Sequence, residues 1–498
     1  MSQLIYIVVK DTFNLTRGEG CHPELSPFPA LLHGYGQPTK RGERDLHCWP
    51  RFESRRPEAP PRLMGNVMRI PLSLLILPFL LLASSWASAD TLTWDDCVRI
   101  AALANPDLQA AQSQLRSSHF QERAAQGSYL PQLGLQVGSQ YGDYYGKGGS
   151  TGSSGTVKTG SGNRRGDTNS AVMTLSQSLF SGNQIEAKVK QAQALIDSSG
   201  VNLDAVKAKV SFDLKSAAAN LYYSQNYIKL SQDIMQRREE NLRLVQLHFE
   251  SGLENKGSLL LSKASLSEAQ FNRHQAQQSS VNSQAQLARA IGRSEAGVIF
   301  LSGNIPVSNP PPPANLLDFV PMTTERRQAL AQIAKAQAQM EIAKSALYPD
   351  LTFDSSANMQ RGSMSTDSDR YTVGLNLSFP FYSGGRDSAL VSSASADLAT
   401  ARSSLMSVEQ QQLSTLTQAY NAFVLAIDRT KVDLEFVEAA HVRAEIARAK
   451  YNNGLLSFED WDIIENDLIN RQKASLLSMR DRVIAEATWE QALGKGVF

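Results

Sequence analysis

The sequence has few residues of the kinds that build enzyme sites or disulfide frameworks. Of its 498 residues, three are cysteine and seven are histidine. Cys21 and Cys48 precede an apolar segment, which leaves Cys97 alone in the rest of the chain and excludes a disulfide within it. The histidines lack metal-ligand spacing, and no phosphate-loop, H-E-x-x-H or G-x-S-x-G motif occurs. We therefore expect no catalytic centre, metal or cofactor.

An excess of charge of one sign is also lacking. Lys and Arg number 49, Asp and Glu number 48, and residues 1–89 hold 10 and 7 of these. The remaining chain therefore carries a net charge of about −2 and has no basic patch, which argues against nucleic acid as a partner. No stretch after residue 89 approaches the roughly 18 consecutive apolar residues of a transmembrane helix.

The one long apolar stretch lies near the beginning of the chain. Residues 70–89 read IPLSLLILPFLLLASSWASA and end on a small-x-small cleavage pattern. We predict a secretory signal peptide over 64–89, starting at Met64 or Met68. Residues 1–63 are then an out-of-place extension, produced by a mis-set translation start or forming a cytoplasmic leader that is removed with the signal.

The sequence does contain a repeat. SLFSGNQIEAKV, starting at Ser178, returns as PFYSGGRDSALV, starting at Pro380. HFESGL, starting at His248, returns as KYNNGL, starting at Lys450. Both pairs share an offset of 202 residues. A constant offset between separate motifs indicates a duplicated structural unit.

The duplication sets the expected domain organisation. We predict a first repeat over 90–300 and a second over 323–498, joined over 301–322 by a linker that contains NPPPPANLL. Each repeat reads as a helix, two strands, a very long helix and a further helix. In the first repeat, the Gly/Ser-rich residues 146–166 predict an exposed loop without regular structure.

Two strands are predicted in each repeat, because apolar and polar residues alternate there. The alternating segments include 133–141, 171–179, 351–359 and 371–379. The apolar positions of the first and last of these strands are Leu133, Leu135, Val137, Tyr141, Tyr371, Val373, Leu375, Leu377 and Phe379. Strict alternation predicts a sheet with one apolar and one polar face.

Very long helices are predicted over 184–249 and 386–451, where the chain has no proline. Each would be roughly 100 Å long at 1.5 Å per residue. Both carry a seam of apolar and small residues with 3-4 spacing, which is typical of coiled-coil packing. Shorter helices are predicted to follow over about 257–291 and 457–493, each after a turn that contains glycine.

A sheet with one apolar face would have to close on itself if it lay in a membrane. Open strand edges are costly in lipid, because their backbone groups have no hydrogen-bond partners. Four strands are too few for a useful barrel, so several copies of the chain would have to pool their strands, and three copies would supply twelve. The helices are far too polar for lipid and would extend beyond the membrane.

Short motifs mark the junctions of each repeat. LFSGN and FYSGG stand where strand leads to helix, YLPQL and YPDL stand where helix leads to strand, and YNNGLLSFEDWDIIENDL forms the last turn. With the duplication, these motifs make residues 90–498 resemble the TolC-like outer-membrane efflux protein family.

The resemblance implies a mainly α fold with transmembrane β. It implies a homotrimer in the outer membrane of a Gram-negative bacterium, whose twelve-stranded β-barrel contacts lipid and continues as a coiled-coil-like, periplasmic α-helical barrel. It also implies a passive exit channel of a tripartite efflux pump or a type I secretion system. Substrate would be driven by an inner-membrane RND or ABC transporter through a periplasmic adaptor.

The resemblance further implies a gate after the turn of the second repeat, where acidic residues often ring the opening. Asp460 stands six residues after Gly454 and matches the first acidic position, whereas Ile463 stands where a second acid can occur. Glu459 and Asp462 are neighbouring candidates. The alternative is a solvated helix start, where the helix dipole favours acids in any case.

The two turns are also candidate contacts for the adaptor, because the turns face it in the family. The residues concerned are Gly252, Leu253, Gly454, Leu455 and Ser457. The alternative is that these residues serve turn geometry alone, with glycine supplying a positive φ.

Two kinds of function stay open at this point. One is the exit duct, and the other is a non-conducting, trimeric coiled-coil protein with a structural or adhesive role, anchored by a barrel. The duplicated strand pairs and matched helix lengths favour the duct, since a stalk needs neither. Within the duct reading, efflux and type I secretion both stay open, and the absence of a lipid-anchor cysteine at the cleavage point slightly favours a TolC-like, multi-purpose or secretion channel.

Overall fold

The computed structural model describes residues 90–150, 158–293, 297–310, 315–363 and 367–498. The predicted extension over 1–63 and the predicted signal peptide over 64–89 lie outside these ranges. In chain order, the helices and strands are β1 (Asp90–Leu92), α1 (Trp94–Ala104), α2 (Pro106–Gln126), β2 (Gln132–Ser150), β3 (Lys158–Phe180), α3 (Gln184–Glu250), α4 (Lys256–Ala290), β4 (Ile299–Leu301), α5 (Thr324–Ser345), β5 (Asp350–Arg361), β6 (Ser368–Ser378), α6 (Arg386–Asn452) and α7 (Phe458–Ala492).

The predicted long helices are confirmed. Helices α3 and α6 have 67 residues each, and α4 and α7 have 35 each. All four helices begin and end at the 202-residue offset, so the two helical hairpins share one backbone plan. The predicted seam runs from Val189 to Val210 on α3 and from Val391 to Val408 on α6, and it is also confirmed, because its positions are buried or half-buried.

The chain between 94 and 126 forms two helices rather than one, with the break at Asn105-Pro106. The Asn105 side chain accepts hydrogen bonds from the backbone N–H of Asp107 (2.9 Å) and Leu108 (3.3 Å), while Pro106 occupies the first helical position. The Asn105 amide also donates to the Ala290 carbonyl at 2.9 Å. Helix α2 therefore begins where α4 ends, and the two helices together run beside α3.

The largest apolar core lies where these helix ends meet the short strands. Strands β1 and β4 pair in parallel and bury Leu92, Ile299 and Leu301 against α1, α3 and α4. Cys97 lies in this core with no exposed surface. Gly292 fits here because its φ is +82°, and a Cβ would come within 2.4 Å of the Ala104 carbonyl oxygen.

The four longer strands form one antiparallel sheet in the order β2-β3-β5-β6. Leu135 lies opposite Met173, and Phe353 lies opposite Leu375, so apolar residues share one face across neighbouring strands. The predicted alternation is therefore confirmed. Strands β2 and β6 are the edges of the described sheet, and each leaves one row of backbone groups unpaired within it.

The predicted unstructured loop over 146–166 is wrong for most of its length. The β2–β3 ladder continues from Tyr141↔Asp167 to Ser150↔Lys158, and only residues 151–157 of the segment lie outside the described ranges. Backbone pairing overrides composition here, because glycines lie opposite glycines at Gly146↔Gly162 and Gly148↔Gly160. The low β-propensity of glycine mainly reflects its lack of a side chain that could pack on the sheet. The hydrogen bonds of the backbone ladder do not require such a side chain.

Candidate functional site

The candidate site lies at the two turns that join the long helices to the following helices. In the first turn the Leu253 N–H donates to the His248 carbonyl at 2.8 Å, and in the second the Leu455 N–H donates to the Lys450 carbonyl at 2.9 Å. Gly252 and Gly454 hold φ values of +79° and +70°. A left-handed glycine followed by this hydrogen bond is the Schellman end of a helix.

Both turns also start the next helix in the same way. The Asn255 side chain accepts a hydrogen bond from the Ser258 N–H at 3.0 Å, and the Ser457 hydroxyl accepts one from the Asp460 N–H at 3.1 Å. These N-caps stand at the 202-residue offset and satisfy free N–H groups of the first helical turn. Between the end and the start of the helices, Leu253 and Leu455 are 74% and 75% exposed.

An aromatic cluster distinguishes the second turn from the first. The ring of Tyr451 stacks on Trp461 with centroids 4.3 Å apart, and His248 from α3 lies 5.0 Å from Tyr451 on a tilted plane. Phe458 meets both stacked rings edge-on. The cluster is buried with Val245 of α3, so it joins the end of the first long helix to the second hairpin.

A hydrogen bond connects this cluster to the first turn. The Tyr451 hydroxyl donates to the Glu254 carboxylate at 3.2 Å. Burial, and then the negative charge of Glu254, raise the pKa of Tyr451 well above its usual value. The hydroxyl therefore stays protonated at any physiological pH and holds the two turns together as a permanent donor.

The candidate acids occupy three different environments. Glu459 and Asp460 are exposed at the start of α7. Asp460 accepts a hydrogen bond from the Ser457 hydroxyl at 2.7 Å, so its carboxylate is held at the turn. Asp462 faces inward and forms an ion pair with Arg238 of α3 at 2.9 Å. Of these three acids, Glu459 and Asp460 therefore present their charge to solvent, whereas Asp462 does not.

Two arginines of α3 make a buried polar layer with α7 just beyond the turns. Arg238 is 7% exposed and contacts both Asp462 and Asn466. Arg237 lies 3.8 Å from Glu465, whose side chain is 2% exposed. Removing one partner of a buried pair leaves an uncompensated charge, so this layer strongly favours one alignment of α3 and α7.

A second buried charge cluster joins the middle of α3 to the far end of α7. The Lys215 ammonium lies 3.3 Å from Glu486 and 3.1 Å from Glu490. Glu486 also accepts hydrogen bonds from the Ser308 N–H at 2.8 Å and hydroxyl at 2.6 Å. The cluster therefore fastens the segment after β4 to the α3–α7 contact.

Sequence reasoning missed both charge layers and the role of Tyr451. Arg238 and Asp462 stand 224 residues apart, and nothing in their local sequence indicates that they pair. A signal for Tyr451 does exist, because its counterpart at the 202-residue offset is Phe249. An added hydroxyl at an otherwise aromatic position indicates a hydrogen-bond partner.

Neither a metal centre nor a membrane-spanning helix is found in the described part of the chain. No group of three or more His, Cys, Asp or Glu residues is arranged there to hold a metal ion. No helix in the described ranges combines the length and the apolar character needed to cross a bilayer.

These features together define a protein of helical hairpins attached to a β-sheet, with exposed turns and no enzyme-like centre within the described residues. Residues 98–293 and 326–495 match the outer membrane efflux protein family. The chain belongs to this family, which confirms the resemblance found in the sequence. The family consists of outer-membrane channels rather than enzymes, and it locates this chain in the outer membrane with its long helices in the periplasm.

Known proteins of similar sequence and fold agree with this assignment. Nodulation protein T of Rhizobium leguminosarum bv. viciae is 24% identical over 292 residues, which are 56% of this chain and 59% of that protein. The match therefore spans about three fifths of the length of this curated relative.

Solved structures share the fold over most of the chain. The outer-membrane channel OprN has a TM-score of 0.68 at 16% identity, covering 81% of this chain and 90% of its own. CusC has a TM-score of 0.69 at 14% identity, covering 81% and 92%. VceC of Vibrio cholerae has a TM-score of 0.65 at 19% identity, covering 81% and 97%. At these identities the likeness shows the fold.

Proposed function

We propose that this protein is a passive exit duct that works as a homotrimer. Three copies pool their four-stranded sheets into one twelve-stranded outer-membrane barrel, and their long helices form one tunnel across the periplasm. An inner-membrane transporter of the RND or ABC class drives substrate into the tunnel through a periplasmic adaptor. The duct itself makes and breaks no covalent bond.

The observation that carries the proposal is the sheet with its two open edges. Leu135 on β2 and Val373 on β6 are 70% and 74% exposed, and they lie on the apolar face of the sheet. An apolar face suits lipid, but the unpaired edges of β2 and β6 do not. Pairing β6 of one copy with β2 of the next satisfies both edges and closes the sheet.

The helices supply the second part of the duct. Helices α3 and α6 are each roughly 100 Å long at 1.5 Å per residue, and α2 with α4, and α5 with α7, run beside them. Such matched lengths allow the helices of three copies to form a continuous wall. A simple anchoring stalk would need neither the matched lengths nor the duplicated strand pairs.

We assign the closed end of the tunnel to the turns and the gate to Asp460, with Glu459 beside it. Three copies would bring at least three exposed carboxylates around one opening, which attracts cations and repels anions. Asp462 has a different role in this proposal, because its ion pair with Arg238 ties it to α3. The exposed side chains of Leu253 and Leu455, with Gly252, Gly454 and Ser457 shaping the turns, form the adaptor contact.

Single-channel recording in planar bilayers tests the duct and the gate together. We expect discrete, cation-selective conductance steps from the purified trimer. Asp460→Asn removes the charge but keeps a side chain of the same shape, so it should weaken the cation selectivity and the block by millimolar divalent cation. Asp428→Asn, which removes an exposed acid in the middle of α6, is the matched control and should change neither property.

The outcomes separate the parts of the proposal. A trimer that never conducts, with or without its adaptor, would favour the non-conducting structural role. Steps that Asp460→Asn leaves unchanged would retain the duct and remove the gate from Asp460. For the adaptor contact, Leu253→Glu and Leu455→Glu should abolish export in cells while the bilayer conductance persists, and retained export would contradict that contact.

A further inference from the structure

One seam within the chain joins α3 of the first repeat to α7 of the second over most of the length of α7. Helices α3 and α7 run antiparallel, and they contact through Lys215 with Glu486, Tyr223 with Arg480, and Arg237 with Glu465. The two residue numbers of each pair add up to between 701 and 703, so a single antiparallel register describes the whole contact. Ile234 and Ile469 share an apolar cluster in that register.

The duplication provides a second set of the same surfaces. The 202-residue offset carries α3 onto α6 and α7 onto α4. Helices α4 and α6 make no extended contact with each other within the described part of the chain. One copy therefore contains the α3–α7 seam but leaves the equivalent faces of α4 and α6 without their counterparts.

The exposure of individual residues shows that the face on α6 is unfilled. Tyr223, Leu230 and Ile234 of α3 are buried or half-buried against α7. Their counterparts on α6 are also apolar but are exposed, namely Leu425 by 67%, Val432 by 42% and Phe436 by 47%. Apolar side chains at three equivalent positions, covered on one helix and open on the other, indicate that α6 has a missing neighbour.

Phe436 shows most clearly on which side that neighbour belongs. Its counterpart Ile234 clusters with Ala269 of α4 and with Ile469 of α7. Arg471, the counterpart of Ala269, lies over the Phe436 ring at 4.3 Å. The counterpart of Ile469 is Ser267 of α4, but α4 does not pack along α6 within the described part of the chain. The ring is therefore covered on one side and open where Ser267 of another copy would lie.

We infer that α6 of one copy packs on α4 of a second copy in the α3–α7 register. The inference rests on the proposed homotrimer and adds the contacts and chemistry of its interface. Phe436 then faces the partner subunit's Ser267, and Leu425 faces the partner subunit's Gln278. Around a ring of three copies, seams within chains alternate with seams between chains.

The seam between copies has a different chemistry from the seam within one copy. At the offset, Lys215 becomes Thr417 and Arg238 becomes Ala440 on α6. On α4, Asp462 becomes Leu260 and Glu486 becomes Gln284. The Lys215–Glu486 and Arg238–Asp462 pairs thus become apolar or neutral residues, and the Arg237–Glu465 pair becomes Ala439 and Lys263, so no ion pair remains at these positions. The interface between copies should accordingly persist in high salt, because screening acts on charge and not on apolar burial.

Cysteine cross-linking in the full-length trimer tests the register. The test variant combines Phe436→Cys with Ser267→Cys and is treated with a short bifunctional maleimide. The off-register control combines Phe436→Cys with Gln278→Cys, which moves one thiol by about 16 Å along α4 at 1.5 Å per residue. Ile234→Cys with Ile469→Cys is the equivalent pair within one chain. Burial raises the pKa of Cys97 to about 11, and its thiol has no exposed surface, so it should not compete.

The test variant should give chain-to-chain products in which two and three copies are joined, with at least tenfold more product than the off-register control. The in-chain pair should react without joining copies. Equal linking of both Phe436 pairs, or no linking by the test variant while light scattering still shows a trimer, would overturn the register. A chain that light scattering shows to be a monomer in detergent and in lipid would instead contradict the proposed homotrimer.

Discussion

Helices α3 and α6 have the same length and equivalent ends, yet their surfaces differ in chemistry. Helix α3 presents Lys215, Arg237 and Arg238 to acidic residues of α7, and these contacts are largely buried. Helix α6 has Thr417, Ala439 and Ala440 at the same positions. The two repeats therefore share one backbone plan, but the equivalent surfaces of α3 and α6 carry different side chains.

In the proposed trimer, the difference follows from which surfaces meet inside one chain. A buried ion pair is tolerated where both partners are delivered by the same fold, since misalignment is then strongly penalised. A surface that meets its partner only after assembly gains more from apolar burial, which is less directional. The turns show the same contrast, because both have equivalent caps and glycines but only the second carries the buried Tyr451–Trp461 stack.

The largest effect is expected from breaking the buried lysine cluster. Lys215→Ala leaves Glu486 and Glu490 without their cation, and removing one partner of a buried pair costs about 3–5 kcal/mol. Thr417→Ala at the equivalent position of α6 should cost less than about 1 kcal/mol, because a half-buried residue without a charge partner is replaced. Thermal unfolding followed by the helical circular dichroism signal compares the two variants, and equal losses would contradict the assigned difference between the helices.

A slightly smaller effect is expected from the aromatic stack at the second turn. Tyr451→Ala removes a buried ring from its contact with Trp461 and should cost roughly 3–4 kcal/mol, in the range of large-to-small core substitutions. Phe249→Ala at the equivalent position of the first turn should cost about 1 kcal/mol or less, because its side chain is 38% exposed.

The stack also bears on the gate, since it carries the hydroxyl that holds Glu254. Limited proteolysis near the turns should cut the Tyr451→Ala protein faster than the wild type, while Phe249→Ala should be cut at close to the wild-type rate. If both variants were cut alike, the second turn would not hold the hairpins together.

The smallest effect is expected from an exposed ion pair between α3 and α6. Arg448 lies 2.8 Å from Glu240, and its hydrogen bond and charge hold the pKa of Glu240 below its usual value. A lowered pKa contributes stability above the unfolded pKa of about 4.5, and that stability is lost as the pH falls through the lowered value.

Glu240→Gln should therefore lower the thermal midpoint slightly at pH 7 and not at all at pH 3, because exposed pairs are worth only about 0.2–1 kcal/mol. Glu239→Gln, an exposed neighbour, should have no pH-dependent effect beyond that of any surface charge. A midpoint difference for Glu240→Gln that grew in acid would have the wrong sign and would refute this role for the pair.

Much of the fold could be predicted from the sequence, because its signals are periodic. The predicted starts of the long helices, 184 and 386, are the observed ones, and the predicted ends fall one residue short. This was possible because both segments contain no proline and carry a regular seam. The strands were found wherever apolar residues alternate. The Gly/Ser-rich part of the β2–β3 hairpin was missed because its pairing comes from the backbone ladder and leaves no pattern in the side chains.

The site was predictable only where one turn repeats the other. Gly252, Gly454, Leu253 and Leu455 stand out through the offset alone, and Ser457 is a common helix cap. The different environments of Asp460 and Asp462 depend on which side of α7 meets α3, and that is a tertiary property. Local sequence could not separate an acid that faces solvent from one that pairs with Arg238.

The most direct test of the account is an electron cryo-microscopy map of the full-length protein in a lipid nanodisc. We expect three copies, a closed barrel in which β6 of one copy pairs with β2 of the next, and α6 packed on the partner's α4 with Phe436 covered. Open four-stranded sheets, a closed assembly of another number of copies, or an α6 face that stays exposed in the trimer would contradict it.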